Sequence, residues 1–150
     1  MLSKADITAQ LRALGLEQGD TIFVSADLLR VGYFNKDQAT TLRDWVDIFT
    51  SLLGDEGTIV VPTYSPSFFR FFQKYDFVFT ADSDSDSGGL ARAYLNHAPG
   101  AIRGRHPTNS CTSLGARAEE IAAADGPEFP KYNPYAKVVE FGGKNLMLGT

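Results

Sequence analysis

A chain of 150 residues with a formal charge of −4 is long enough to bury a core and too acidic to favour nucleic acid or an anionic membrane as its main partner. Its apolar share of 43% and charged share of 21% suit one soluble domain. A single cysteine excludes an internal disulfide, the N-terminus lacks the apolar stretch of a signal peptide, and no apolar run is long enough for a membrane span. The chain therefore reads as cytoplasmic.

The first element is a helix. Ser3 and Asp6 form a capping-box-like start, Ile7, Leu11 and Leu14 recur at helical spacing, and Gly15 stops it. Thr21–Val24 is a short strand of β-branched and aromatic residues. After a loop containing Gly32, the residues Leu42, Trp45, Val46, Phe49, Leu52 and Leu53 mark one face of a long helix closed by Gly54. Thr58–Val61 is the unbroken apolar strand typical of a parallel sheet. Helix, strand, helix, strand predicts a sheet covered on both faces.

The middle is less regular. Phe68 to Phe79 is an aromatic cluster whose basic residues are not interleaved as nucleic-acid binding needs, so a flap or core insert is expected over a base-stacking platform. Asp82–Ser87 superficially resembles a calcium loop. Its glycine falls one place late, at Gly88, and Ala93 replaces the chelating glutamate; a solvated loop leading to a helix cap is the expectation. A short helix is expected over Gly89–Asn96 and another over Ala116–Ala124. Asn133 and Pro134 suggest an N-cap and first turn, and Gly142-Gly143 closes that helix. Asn145–Gly149 reads as a buried strand, which implies that the domain continues past Thr150.

In a parallel sheet, ligands collect beyond the carboxyl ends of the strands. Four segments should meet there: Ser25–Asp27, Pro62–Ser65, His106–Ser110 and Gly149-Thr150. The third is richest, because Arg103, Arg105, His106, Thr108, Asn109 and Ser110 fall within nine positions. The arginines could fork onto phosphates and would keep His106 neutral. The sequence leaves two readings of His106 open, a proton acceptor or an imidazole bonded to its own backbone. Other site grammars fail: there is no glycine-rich phosphate loop, no zinc-ligand set (two histidines and one cysteine lie apart) and no nucleophile elbow. Cys111 reads as a strand residue of the core, and His97 as a helix-end surface residue.

Taken in order, these segments resemble the aminoglycoside 3-N-acetyltransferases. Leu14-Gly15-Leu16-Glu17-Gln18-Gly19-Asp20-Thr21 is similar to the entry to that family's first strand. Leu53-Gly54-Asp55-Glu56-Gly57 through Pro62-Thr63-Tyr64 is similar to its second strand and Pro-Thr exit. Ser87–Ala91 and Pro99–Arg103 match the approach to the family's His-Pro-Thr-x-Ser signature, here His106–Ser110. Asn133–Lys137, Gly143 and Leu146–Gly149 match the close of the same block.

The resemblance implies a three-layer α/β/α sandwich around a mixed, largely parallel sheet, with residues 1–150 forming the N-terminal part of one domain. It implies acetyl-CoA as co-substrate, no metal, a small-molecule amine acceptor of the aminoglycoside class, and compatibility with a homodimer. Carried onto this chain, Ser25, Thr63, His106, Thr108 and Ser110 lie along the coenzyme, with Tyr64 and Asp27 toward the acceptor. His106 is the catalytic candidate within these residues. Three departures stand out: Ser25-Ala26-Asp27 replaces a common His-Ser-Ser, Asn109 replaces a common histidine, and the family's general-base histidine belongs to a helix after the last strand, past Thr150. Two rival readings follow, an N-acetyltransferase for an amino sugar of a surface polysaccharide, and a coenzyme A-binding fragment without catalysis. A hydrolase using Cys111 is more distant still.

Overall fold

Ser3 opens α1 (Lys4–Ala13) with a reciprocal cap: its hydroxyl accepts from Asp6 N, and the Asp6 carboxylate accepts from Ser3 N at 2.8 Å. Ile7 and Leu11 turn inward as expected. Leu14, expected on the same stripe, is 69% exposed because the helix ends at Ala13 and Gly15 takes a positive φ just beyond. The computed structural model describes residues 2–65 and 78–150. The aromatic stretch expected as a flap therefore lies mostly outside the described residues.

The elements that follow are β1 (Thr21–Ala26), α2 (Leu28–Val31), α3 (Gln38–Leu53), β2 (Thr58–Pro62), α4 (Gly89–Asn96), β3 (Ile102–Arg103), β4 (Cys111–Gly115), α5 (Ala118–Ala123), α6 (Asn133–Glu140) and β5 (Lys144–Leu148). The five strands form one sheet in the order β3-β4-β2-β1-β5. β1 runs parallel to both β2 and β5, while β4 runs antiparallel to β2 and to β3.

Side-chain alternation along each strand sends successive residues to opposite faces, and two cores result. On one face Ile22, Val24, Ile59 and Val61 meet Ile7 and Leu11 of α1, Trp45 and Phe49 of α3, and Leu90 and Tyr94 of α4. On the other, Phe23 and Val60 meet Cys111, Ile121 of α5 and Val138 of α6. The architecture is thus the expected helix–sheet–helix sandwich on a mixed sheet. Among the described residues, no helix is long and apolar enough to cross a membrane.

Three details differ from expectation. β5 is an edge strand rather than a buried one: Leu146 is covered, but Met147 beside it is 62% exposed. Tyr132, with φ 64°, is the N-cap of α6 instead of Asn133, whose side-chain amide donates to Ala124 O at 2.7 Å. The acidic loop does not end in a side-chain cap. Gly88 precedes α4 without one, and the Ser87 hydroxyl accepts from Tyr64 N at 2.9 Å.

Candidate functional site

The four predicted segments do converge at one end of the sheet. The antiparallel ladder between β2 and β4 runs on past Pro62, with Thr63 N donating to Ser110 O and Ser65 N to Thr108 O. On the far side of β1, Asp27 N donates to Leu148 O. Gly149 follows, so close to the Asp27 carbonyl that a side chain there would collide with it.

Within this end the pleat divides the candidates. Ser25 follows the Phe23 face and Tyr64 packs on that same core, whose covering helices are α5 and α6. Thr63 and Ser110 stand opposite one another on the other face, continuing the row of Val61 and Thr112. The sheet therefore separates Ser25 from Thr63, which were expected to share one slot.

Thr63 and Ser110 need a second correction. Both are 0% exposed, and their hydroxyls bond within the protein. Thr63 Oγ1 lies 3.1 Å from Ser110 O and 3.0 Å from Thr112 Oγ1, and Ser110 Oγ donates to Thr63 O at 3.0 Å. They build the wall of the site and offer no surface to a ligand.

Arg103, expected to fork onto phosphate, holds that wall together. Its Nε donates to Ser110 Oγ at 3.1 Å and its Nη2 to Thr63 O at 2.7 Å. Its Nη1 reaches Ala81 O at 3.1 Å and also Ser83 O, and the guanidinium sits over the Phe79 ring, 4.9 Å from its centroid. The cation thus ties the acidic loop to the strand ends. Ser85 Oγ adds a bond to Tyr64 O at 2.8 Å, and the Tyr64 N–Ser87 bond adds another. A groove of about 390 Å³ lies between this loop and α4, lined by Asp82, Asp84 and Arg92 among others. Arg105 faces solvent and pairs with Glu128.

The loop between β3 and β4 is braced from beneath by Asp125, which the sequence did not single out. Its carboxylate accepts from Cys111 N at 2.7 Å and its carbonyl from Arg105 N at 2.5 Å. Burial pushes this carboxyl up to about 6, against the opposing pull of the Cys111 amide and Arg103. A Cβ at Gly104 would enter the space of that carboxylate, so glycine is required there for close approach. The only hint in the sequence was Asp125-Gly126 after an alanine-rich helix. Cys111, expected in the core, is 3% exposed, and burial raises its thiol well above the usual range.

His106 is 9% exposed. Its Nδ1 accepts from Asn109 N at 3.0 Å and Thr108 N at 3.2 Å, the bonded-to-backbone geometry that was one of its two readings. Burial first, and Lys131 second, depress its pKa; the cation responsible is not one of the neighbouring arginines. Thr108 is half-buried, and its hydroxyl donates to Asn109 Oδ1 at 2.9 Å. Asp27 accepts from Leu29 N and Arg30 N as the N-cap of α2. Tyr64 is half-buried, its ring 6.1 Å from that of Tyr132 in an edge contact, and burial raises its phenol. Ser25, Asp27, Tyr64, His106 and Thr108 are thus the predicted residues with surface or bonding capacity left for a ligand. No group of three or more potential metal ligands occurs among the described residues.

Comparison with known proteins places these features in context. The family model described as aminoglycoside 3-N-acetyltransferase matches residues 23–150. Aminoglycoside N(3)-acetyltransferase VII of Streptomyces paromomycinus is 31% identical over 99% of this chain and 56% of its own length. The crystal structure of aminoglycoside acetyltransferase AAC(3)-Xa superposes with a TM-score of 0.77 at 27% identity, covering 98% of this chain and 56% of that one. AAC-IIIb, solved as a binary complex with CoASH, gives 0.72 at 27% identity, covering 97% of this chain and 59% of that one. The chain spans a little over half the length of these relatives.

Proposed function

Because the chain belongs to the aminoglycoside 3-N-acetyltransferase family, we propose that residues 1–150 form the N-terminal part of an acetyl-CoA-dependent N-acetyltransferase domain acting on the 3-amino group of a 2-deoxystreptamine antibiotic. The observation that carries this reading is the meeting of the β1, β2 and β5 exits with the start of β4 at one end of the sheet. That is where a parallel sheet offers its ligand crevice. The match to a relative solved with CoASH supports the choice of donor.

The acceptor reading is supported by charge. Asp82, Asp84 and Asp86 lie on the loop that Arg103 and Ser85 fasten to the exit of β2. A polyamine entering beside Tyr64 meets carboxylates whose attraction favours a cation and raises its local concentration. The amino-sugar alternative rested on Asp27 and Asn109. Asn109 accepts from Thr108, and Asp27 caps α2 through one oxygen with its carboxylate still partly exposed, so neither singles out an acceptor class.

In this reading a neutral amine attacks the thioester carbonyl, the tetrahedral centre collapses with loss of the coenzyme thiolate, and a proton leaves the amine. Residues 1–150 supply alignment, which is worth several kcal/mol on its own. In this reading the proton acceptor is the family's general-base histidine, which the resemblance assigns to a segment outside residues 1–150. Such chemistry on a soluble donor fits a cytoplasmic protein. Calorimetry with coenzyme A, followed by a thiol-release assay with a 2-deoxystreptamine antibiotic and with glucosamine as acceptors, tests the proposal. Binding of coenzyme A with weak or no turnover by residues 1–150 is expected. Absence of coenzyme binding would overturn it, and turnover with glucosamine alone would move the acceptor to the amino-sugar class.

A further inference from the structure

Tyr132 stands at a position that its side chain does not suit. Its backbone takes φ 64° and ψ 19°, in the left-handed region, where a Cβ meets steric resistance and glycine or asparagine is the usual occupant. It is also the N-cap of α6, its carbonyl accepting from Tyr135 N at 3.0 Å and Ala136 N at 3.3 Å. An N-cap is best served by a short side chain whose oxygen accepts from the first turn. Tyr132 makes no such bond. Asn133, next in the chain, would suit both demands, yet the fold uses its amide to anchor the turn on Ala124 O at 2.7 Å.

Two local rules are thus broken at one residue, and the tyrosine gains little burial in return, being 55% exposed. Core packing does not account for it. Backbone strain of this kind persists where the surrounding structure imposes it, and it gathers at ligand-contact positions. The surroundings point the same way. The ring makes an edge contact with Tyr64, centroids 6.1 Å apart, and Tyr64 lies just past the end of β2. Main-chain groups of Tyr64 are bonded in turn to Ser85, Asp86 and Ser87 of the acidic loop. Lys131, the preceding residue, is close enough to help depress the His106 pKa. The segment therefore carries an open aromatic ring to the strand exits, where the acidic loop is fastened.

An aromatic face matches a particular chemistry. The saturated six-membered rings of sugars and aminocyclitols present a patch of C–H groups on one side, which packs on the apolar face of a tyrosine. Ammonium groups on such a ring are drawn to the same face by its quadrupole. A linear polyamine has the charges without the ring. We propose that Tyr132 is a specificity-determining residue, holding an exposed ring over Tyr64 to stack against a sugar or aminocyclitol ring of the acceptor. The ligand assignment rests on the acceptor reading above, whereas the strain rests on the backbone of α6 alone.

Two substitutions separate the ring from the backbone. Tyr132→Asn removes the ring, suits the left-handed region and supplies a cap. Tyr132→Phe keeps both the ring and the strain. The melting temperature of the full chain is expected to rise by about 2–4 °C in Tyr132→Asn and to stay at the wild-type value in Tyr132→Phe. Calorimetry with a 2-deoxystreptamine antibiotic is expected to show about fivefold to tenfold weaker binding for Tyr132→Asn and near-wild-type binding for Tyr132→Phe. Spermine, which has no ring to stack, should bind all three proteins alike. A variant that is more stable and yet binds the antibiotic less well is not what a purely structural tyrosine gives. A lower melting temperature for Tyr132→Asn, or an equal loss of affinity for spermine, overturns the proposal. Antibiotic binding that Tyr132→Asn leaves intact overturns it too, with the acceptor reading still standing. A wild-type chain that binds no antibiotic removes the acceptor reading and this ligand assignment together.

Discussion

Arg103 and His106 stand three positions apart at the same end of the sheet, and the fold treats them in opposite ways. Arg103 is a cation whose donors are engaged by Ser110, Thr63, Ala81 and Ser83. His106, its pKa depressed by burial and by Lys131, is held by two backbone amides on one nitrogen and has no partner on the other among the described residues. The charged group, which looked ready to meet a ligand, is structural. The other, which looked like a base, has one ring nitrogen taken up by its own turn. Charge in a sequence motif therefore says less about ligand contact than the count of bonding positions left after folding.

The largest effect should come from breaking the engaged side of this contrast. Arg103→Met leaves a buried hydroxyl and several carbonyls without their donor. Unfolding in urea is expected to show a loss of at least about 3 kcal/mol, with the acidic loop released from the strand ends. Arg103→Lys should recover little, since a single ammonium cannot span the same acceptors. A loss below about 1 kcal/mol in the methionine variant would mean that the clasp contributes little beyond its apolar contacts.

Next comes the brace beneath both residues. The Asp125 carboxyl is raised to about 6 in the folded chain, against 3.8 as the ordinary value. The folded state thus holds this proton more tightly than the unfolded state does. The stabilisation is fully present below the ordinary value and is lost as pH rises through about 6. Asp6, Asp37, Asp44 and Glu128 have lowered values and give the opposite slope at lower pH, so Asp125→Asn is needed to isolate the contribution. The stability advantage of the asparagine variant over wild type should grow by on the order of 2 kcal/mol between mildly acidic and mildly alkaline buffer. Parallel pH profiles for the two proteins would contradict the raised carboxyl.

Gly104→Ala probes the same brace sterically. The added methyl meets the Asp125 carboxylate, and displacement of packed atoms costs about 1–3 kcal/mol. In the double variant Gly104→Ala with Asp125→Ala, the glycine substitution should cost much less, because its obstacle is gone. Additive losses in the chemical unfolding of the four proteins would show that the two positions do not interact.

What could be read beforehand follows from the range of the interactions. Capping at Ser3, the apolar face of α3 and the boundaries of α4 depend on residues within a few positions, and the sequence carries them openly. The meeting of the strand exits was legible because each strand was recognisable and a parallel sheet aligns its carboxyl ends. The face on which Ser25 and Thr63 fall was not, since one residue of register exchanges the two faces of a strand. The Arg103 bonds to Thr63, Ala81 and Ser83 cross 20 to 40 positions, and no local pattern announces them. β5 looked buried because Leu146-Met147-Leu148 is apolar on both sides, although it lies at the sheet's edge.

The smallest expected change concerns a third kind of buried polar group, one with neither an internal partner nor access to a ligand. Tyr94 of α4 is 1% exposed in the core behind the Arg103 face, and its hydroxyl has no hydrogen-bond partner among the described residues. Burial raises this phenol with nothing to offset it. Deleting an unsatisfied hydroxyl removes a desolvation cost and forfeits no bond, so Tyr94→Phe should leave stability unchanged or raise it by up to about 1 kcal/mol. Coenzyme affinity should be unaffected. A loss of more than about 1 kcal/mol in urea would reveal a partner for the hydroxyl, and Tyr94 would then belong with Arg103 among the engaged groups.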